Sequence, residues 1–222
     1  TTSGDVDTSD DNITFTRAVT LAAAVDIDST GGSAGNILFS AAIATAGNNL
    51  TLDAGTAGNI TLSAALTGRG AMTVRDGAVQ AYDALTVGSL SIADATTSVT
   101  FNGVVDASTT ITVNSGGTIV QTGAVTGATN IDYDAGSTIA LNAAITTTGT
   151  VAIDSTGVTT IASAGDINAG GAVTFGAAKS GTLTTSGDVD TSDDNITFTR
   201  AVTLAAAVDI DSTGGSAGNI LF

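Results

Sequence analysis

The chain lacks five residue types altogether, and each absence excludes a class of site or structure. It contains no cysteine, proline, histidine, tryptophan or glutamate. Without cysteine, no disulfide framework can form. Without histidine, cysteine and glutamate, few groups remain for nucleophilic or acid–base catalysis, so we expect that the protein is not an enzyme. Without proline, nearly every backbone N–H is free to bond to a neighbouring strand.

Positive charge is also scarce. All 21 acidic residues are aspartates, against five basic residues, and the net charge is −16. Nucleic acids are bound by clustered lysine and arginine, so we expect no nucleic-acid partner. No apolar run approaches the length of a membrane span, so we expect no membrane insertion. The acidic balance suits a highly soluble surface, or one that attracts cations.

A long internal repeat is the most conspicuous feature that is present. Residues 1–39 reappear letter for letter as residues 184–222, at an offset of 183. Repetition at a fixed period is typical of architectures that grow by adding units. We interpret 1–183 as one complete tandem repeat unit and 184–222 as the start of the next identical unit, continuous with the same fold. The pattern predicts that the chain is a segment of a longer tandem array.

Apolar residues alternate with small or polar ones in short doublets, which indicates β-strands with one buried face. Clusters of Gly, Asn, Asp, Ser and Thr separate the doublets and favour turns. No stretch of useful length has the periodicity of an amphipathic helix. The doublets include Ile13/Phe15, Val25/Ile27, Ile37/Phe39, Leu50/Leu52, Ile60/Leu62, Met72/Val74, Leu85/Val87, Val99/Phe101, Ile111/Val113, Ile131/Tyr133, Ile139/Leu141, Val151/Ile153, Val173/Phe175 and Ile196/Phe198.

Short, evenly spaced strands could build a sandwich, a barrel or a solenoid. A perfect long repeat favours the solenoid, because each coil contacts only its neighbours and units can be added freely. The small number of aromatic residues, 4% of the chain, suits a narrow interior. We therefore predict an all-β parallel β-solenoid (β-helix) with coils of about 20–25 residues. The sequence leaves open whether each coil has two strands or three. Stacked Phe15, Phe39 and Phe101 are expected to contribute most to the core.

Several phrases resemble a known family. NITFTRAVTLAAAVDIDSTGG, NITLSAALTG and INAGGAVTF are similar to the haemagglutinin-type β-strand repeats of giant bacterial surface proteins, which include filamentous-haemagglutinin-like adhesins and repeat filaments. The resemblance implies a right-handed β-solenoid shaft that is exported to the cell surface and acts as a stalk or fibre. The repeat here is long and identical, whereas the family's repeats are short and degenerate. No functional residue is carried over from the family.

These observations predict a structural segment of a long extracellular fibre or adhesin stalk built from tandem identical repeats. The expected partners are further copies of the repeat, joined covalently or end to end, with lateral assembly into fibres as an extension. Two alternatives stay open. The chain could be an adhesive or cation-binding surface module, or a short subunit that assembles end to end into a filament.

The densest acidic patch predicts the one candidate metal site. It comprises Asp5, Asp7, Asp10 and Asp11. Ca²⁺ takes carboxylate and carbonyl oxygens as ligands, so these four residues form a hypothetical calcium site. No other cofactor is expected. The patch lacks the spacing of known calcium loops, and the alternative is a solvated acidic face that keeps the shaft soluble.

Three further interpretations depend on short patterns. Asp132 and Asp134 could act as paired carboxylates in sugar cleavage, as in some solenoid enzymes. Thr-x-Thr pairs such as Thr110 and Thr112 could form ladders that order water. Asn12 begins an Asn-x-Thr acceptor pattern for glycosylation, although a turn asparagine before a strand explains it equally.

Overall fold

The apolar doublets become short parallel strands in the computed structural model of the chain. The structure describes residues 1–31, 35–176, 178–214 and 218–222. Across these ranges it has 31 strands and no helix. The strands, in chain order, are β1 (Val6–Asp7), β2 (Ile13–Phe15), β3 (Val19–Thr20), β4 (Val25–Asp28), β5 (Ile37–Phe39), β6 (Ile43–Ala44), β7 (Leu50–Asp53), β8 (Ile60–Leu62), β9 (Leu66–Thr67), β10 (Met72–Val74), β11 (Val79–Tyr82), β12 (Leu85–Val87), β13 (Leu90–Ala95), β14 (Ser98–Phe101), β15 (Val105–Ala107), β16 (Thr110–Ser115), β17 (Thr118–Gln121), β18 (Val125–Thr126), β19 (Asn130–Ala135), β20 (Ile139–Leu141), β21 (Ile145–Thr147), β22 (Thr150–Ser155), β23 (Thr159–Ile161), β24 (Ile167–Ala169), β25 (Val173–Phe175), β26 (Leu183–Thr185), β27 (Val189–Thr191), β28 (Ile196–Phe198), β29 (Val202–Leu204), β30 (Ile210–Asp211) and β31 (Ile220–Leu221).

Every third strand pairs in parallel, which makes the chain a β-solenoid with three strands per coil. In the described part of the chain, sheet 1 runs from β1 through β4 to β31, sheet 2 from β2 to β29 and sheet 3 from β3 to β30. Met72 pairs with Leu90, 18 residues later, and Val25 pairs with Leu50, 25 residues later. These are the shortest and longest coils. The prediction of a parallel β-solenoid is confirmed, with about ten coils. The number of strands per coil, which the sequence left open between two and three, is three.

Alternation along each strand decides which side chains reach the interior. In β7, Leu50 and Leu52 are buried while Thr51 between them faces outward and is half-buried. The same alternation in the other strands builds one continuous core, mostly of Ile, Val, Leu and Ala. Because coils stack directly, each buried residue packs on its register partners above and below, where burial contributes about 25 cal/mol per Å² of apolar area.

Aromatic rings stack along the axis. Phe15 lies on Phe39 with ring centroids 4.5 Å apart, as the doublets predict. Phe101 instead lies between Tyr82, at 5.8 Å, and Tyr133, at 6.3 Å. All three of these latter rings are fully buried. These two groups of stacked rings therefore lie at different heights along the shaft.

The corners leave little space between coils, which explains the glycine-rich turns. A Cβ on Gly149 would lie 1.6 Å from the carbonyl oxygen of Thr129 in the coil below.

Asparagines at matching positions of successive coils form a row at another corner. The Asn12 side-chain oxygen accepts the backbone N–H of Asn36 at 2.8 Å, and the Asn36 oxygen accepts that of Asn59 at 2.8 Å. These asparagines satisfy backbone groups of the next coil, which gives Asn12 a structural role.

The two identical stretches form corresponding strands in the same register, but in different sheets. Ile13 pairs with Ile37 in sheet 2, and the matching Ile196 pairs with Ile220 in sheet 1. Counting along the described strands, β28 follows β2 by 26 strands, which is eight coils and two strands over. One repeat therefore does not complete a whole number of coils. Each sheet forms one face of the solenoid, and each strand of the second copy lies one face away from its match in the first copy.

Removing the central stacked ring should destabilise the shaft. We expect Phe101→Ala to lower the free energy of unfolding by about 3–5 kcal/mol, because the change leaves a cavity between Tyr82 and Tyr133. Val104→Ala is the matched control, since Val104 is 46% exposed three residues away, and its effect should stay within about 0.5 kcal/mol. Urea unfolding of both variants measures the difference. Equal losses would contradict the stacked arrangement.

Candidate functional site at the junction between repeats

The first repeat joins the second through a continuous packed interface. Val173 in β25 pairs with Ile196 in β28, and Thr159 in β23 pairs with Leu183 in β26. The rings of Phe175 and Phe198 stack in parallel with centroids 5.2 Å apart. The core of one unit therefore passes into the next without a gap in hydrogen bonding or packing.

A buried arginine lies at this junction. The Arg200 side chain is only 1% exposed. Its Nη2 donates to Asp154 Oδ1 at 2.7 Å, and its Nη1 donates to Ser155 Oγ at 3.0 Å and to Thr159 Oγ1 at 3.2 Å. Burial lowers the pKa of the Arg200 guanidinium, and the neighbouring Asp154 acts in the opposite direction. Residues of the second repeat are thus bound to residues of the first by charge-assisted hydrogen bonds.

Asp154 also holds the loop that precedes the junction. Its two carboxylate oxygens accept the backbone N–H groups of Ala178, at 2.7 Å, and Lys179, at 3.1 Å. Gly176 lies beside the guanidinium with φ of +84°, and a Cβ there would be 2.3 Å from Arg200 Nε. Glycine is required at 176 both by its backbone conformation and by the space that Arg200 occupies.

The matching residues of the first copy are more exposed than those of the second. Arg17, which matches Arg200, is exposed. Phe15 is half-buried, whereas the matching Phe198 is 2% exposed. An open groove at this end is lined by Thr1, Thr2, Phe15, Thr16, Arg17, Ala18 and Val19. The groove occupies the place that the junction fills in the second copy.

The four predicted calcium ligands lie at the same end, and the side chains of two of them accept backbone hydrogen bonds from the next coil. Asp5 Oδ1 accepts the backbone N–H of Asp26 at 2.8 Å, and Asp10 Oδ1 accepts that of Gly31 at 2.9 Å. Asp7 pairs in register with Asp28, and Asp11 is exposed. In the parts of the chain that the structure describes, no three acidic side chains are grouped to hold a metal ion. Calcium binding here stays a prediction.

A row of aspartates on successive coils has carboxylates that accept backbone N–H groups of the next coil. Asp166 Oδ1 accepts the backbone N–H of Asp188 at 2.9 Å, and Asp188 Oδ1 accepts that of Asp209 at 2.7 Å. Nearby, burial raises the pKa of Asp190, and the charges of Asp188, Asp209, Asp211 and Asp166 raise it further. The row gives the shaft a line of like charge along one edge.

The other patterns singled out in the sequence, the paired aspartates and the Thr-x-Thr pair, lie on neighbouring strands of sheet 1. Asp132 and Asp134 lie on β19, where Asp134 pairs with Lys179. Burial raises the pKa of Asp132, with smaller contributions from Asp134 and Asp154. Thr110 and Thr112 pair with Asn130 and Asp132, so this Thr-x-Thr pair does not continue into the next coil.

Sequence reasoning missed the junction contacts. The available signal was that Arg17 and Arg200 occupy matching positions in a chain with only five basic residues. The partner itself, Asp154, lies 46 residues before Arg200, and its proximity follows only from coil lengths.

No family model, curated protein or solved structure matches the chain. In the described ranges, no helix has the length and apolar character to cross a membrane.

The two matching arginines provide an internal test of the junction. We expect Arg200→Ala to lower the local opening free energy of the strands from β22 to β28 by about 3–5 kcal/mol, because Asp154 is left buried without its cation. Arg17→Ala, the same change in the same local sequence, should cost less than about 0.5 kcal/mol since Arg17 is exposed. Amide hydrogen exchange measures both. Similar effects would show that the buried pair does not stabilise the junction.

The raised pKa of Asp190 predicts greater stability in mild acid. A carboxyl whose pKa is higher in the folded chain than in the unfolded chain loses stability as pH rises through the folded value. We therefore expect the coils around β27 to become more resistant to opening as pH falls from about 7 toward 4, since fewer aspartates stay charged. Asp190→Asn should reduce this dependence. Asp7→Asn, at the matching position of the first copy, controls for the loss of one negative charge. Hydrogen exchange across this pH range is the measurement, and a dependence that Asp190→Asn leaves unchanged would contradict the assignment.

Proposed function

We propose that the chain is a structural segment of a long extracellular fibre or adhesin stalk, built from tandem identical 183-residue repeats. The observation that supports this most directly is the continuity at the junction. The second copy starts on the first with the same strand register that the first copy uses internally, and Phe198 is buried against Phe175. A fold of this kind can be extended by whole units without disturbing its core.

The mechanical role follows from the hydrogen bonding. Each coil bonds to the next along the axis through all three sheets. With coils spaced about 4.8 Å apart, 26 strands in coils of three give a rise of about 42 Å per repeat. Tandem repetition therefore converts sequence length into reach, and the continuous ladders resist extension along the axis.

The family resemblance and the charge support an extracellular location. The repeats are similar to those of haemagglutinin-type bacterial surface proteins, whose shafts project from the cell. A net charge of −16 favours separate, soluble shafts, because like charges repel. A shaft of this chemistry has further copies of the repeat as its natural partners.

A cation-binding surface module is a second candidate. The row Asp166, Asp188 and Asp209 supports it, because like charges on successive coils repel unless a cation bridges them. The row also has an internal structural role in capping backbone groups, which favours the shaft proposal.

The mass of the intact chain tests the proposal. Native material would be run on a denaturing gel, once in EDTA and once in Ca²⁺. A band of several hundred kilodaltons would support covalent tandem repeats. A band near 21.3 kDa, the mass of this chain, would sink the giant-chain proposal and favour short subunits that assemble end to end.

The strand count predicts the symmetry of the fibre. We expect electron cryomicroscopy of a tandem array to show a rise of about 42 Å per repeat. Each strand should lie one sheet away from its match in the previous repeat. A reconstruction that resolves strands would count 26 between matching residues. A count of 24 or 27, which would place every repeat on the same face, would contradict the arrangement seen here.

A further inference from the structure

Two buried polar atoms lie in the middle of the apolar core without a partner. The hydroxyl of Tyr133 and the Oε1 atom of Gln121 belong to fully buried residues, and neither atom has a hydrogen-bond partner among the residues that the structure describes. Folded proteins pair nearly all buried polar groups, either with protein atoms or with ordered water, because an unpaired group loses its hydration for nothing in return. These two atoms therefore need a partner that the described residues do not supply.

Both side chains line the same section of the interior. Gln121 in β17 pairs in register with Phe101, which belongs to the preceding coil. Tyr133 in β19 belongs to the coil after Gln121, yet its ring stacks against Phe101. The Tyr133 side chain therefore reaches back from its own coil toward the level of Gln121. Because Tyr82 stacks on Phe101 from the coil before, Tyr133 and Gln121 share the opposite side of that ring.

The ring stack is most open at this level. The centroids of Phe101 and Tyr133 are 6.3 Å apart, the widest spacing among the stacked ring pairs in the described part of the chain. Phe15 and Phe39 are 4.5 Å apart by comparison. A buried water needs both space and at least two polar partners. The wide spacing and the two unpaired atoms occur at the same height of the shaft.

Another tyrosine and glutamine of the same core show the satisfied form of this pairing. The Tyr82 hydroxyl donates directly to Gln80 Oε1 at 2.7 Å, and both residues are fully buried. Gln121 is anchored on its other side, since its Nε2 donates to the carbonyl oxygen of Ala143 at 2.9 Å. That bond fixes the amide and leaves Oε1 as an acceptor. Tyr133 and Gln121 thus have the chemistry of the first pair without its direct contact.

We propose that Tyr133 and Gln121 bind one water molecule inside the solenoid. The Tyr133 hydroxyl donates to the water, and the water donates to Gln121 Oε1, so both buried atoms gain a partner. Burial raises the pKa of the Tyr133 hydroxyl, which keeps its proton available for donation. The site goes beyond the proposed function, because it depends on neither a fibre nor a tandem array.

A high-resolution crystal structure of the 222-residue chain tests the site directly. We expect a single density peak about 2.7–3.0 Å from both the Tyr133 hydroxyl oxygen and Gln121 Oε1. Direct contact between these two atoms would overturn the inference, and so would an interior without density between them. In crystals of Tyr133→Phe the peak should disappear while the ring stays stacked on Phe101. A peak that persists in this variant would show that the hydroxyl does not hold the water.

Urea unfolding gives an independent measurement. Tyr133→Phe should raise the unfolding equilibrium constant about three- to tenfold, because the water and Gln121 Oε1 lose a hydrogen-bond partner. Tyr82→Phe is the matched control, since it removes the directly observed bond to Gln80 from the same ring stack. We expect losses of similar size from both variants. If Tyr133→Phe were as stable as the unmodified chain or more stable, while Tyr82→Phe lost stability, the Tyr133 hydroxyl would be unpaired in a dry core and the inference would fail.

Discussion

Each coil of this protein supplies the hydrogen-bond partners of the next, and the rest of the structure depends on this pairing. A parallel strand of two or three residues cannot stand alone, since its backbone groups need partners on both sides. In this chain the partners lie 18 to 25 residues away along the sequence. The absence of proline, the glycines at tight corners and the asparagine and aspartate caps all serve that one requirement.

The requirement makes the exposure of a residue depend on the coil next to it. Leu21 is 1% exposed while the identical Leu204 is 56% exposed, because only Leu21 has a coil on its far side. Phe39 is fully buried, and the matching Phe222 is 81% exposed. Identical sequence thus gives a core residue or a surface residue according to what lies next to it.

Period-two alternation was sufficient to predict strands, because Leu50 and Leu52, for example, mark a buried face directly, whereas the solenoid was predicted from the exact long repeat. It did not give the number of strands per coil. Sheet 3 contains strands such as Val19–Thr20 and Leu66–Thr67, each with a single large apolar residue, so they produce no doublet. The partner of Arg200 was also beyond sequence reasoning. Arg17 and Arg200 are the same residue in the same local sequence, and only the coil that precedes Arg200 makes it a buried partner of Asp154.

The turn by one face between successive copies has a consequence for anything attached beyond the shaft. In an uninterrupted array, 26 strands per repeat bring a given side chain back to its original sheet only at every third repeat. With coils spaced about 4.8 Å apart, the same surface patch therefore recurs on one side of the shaft about every 125 Å. Gain or loss of a single repeat would change the length by one step and also redirect whatever follows by one face. Copy number would thus set the direction in which a distal domain points as well as its distance from the base.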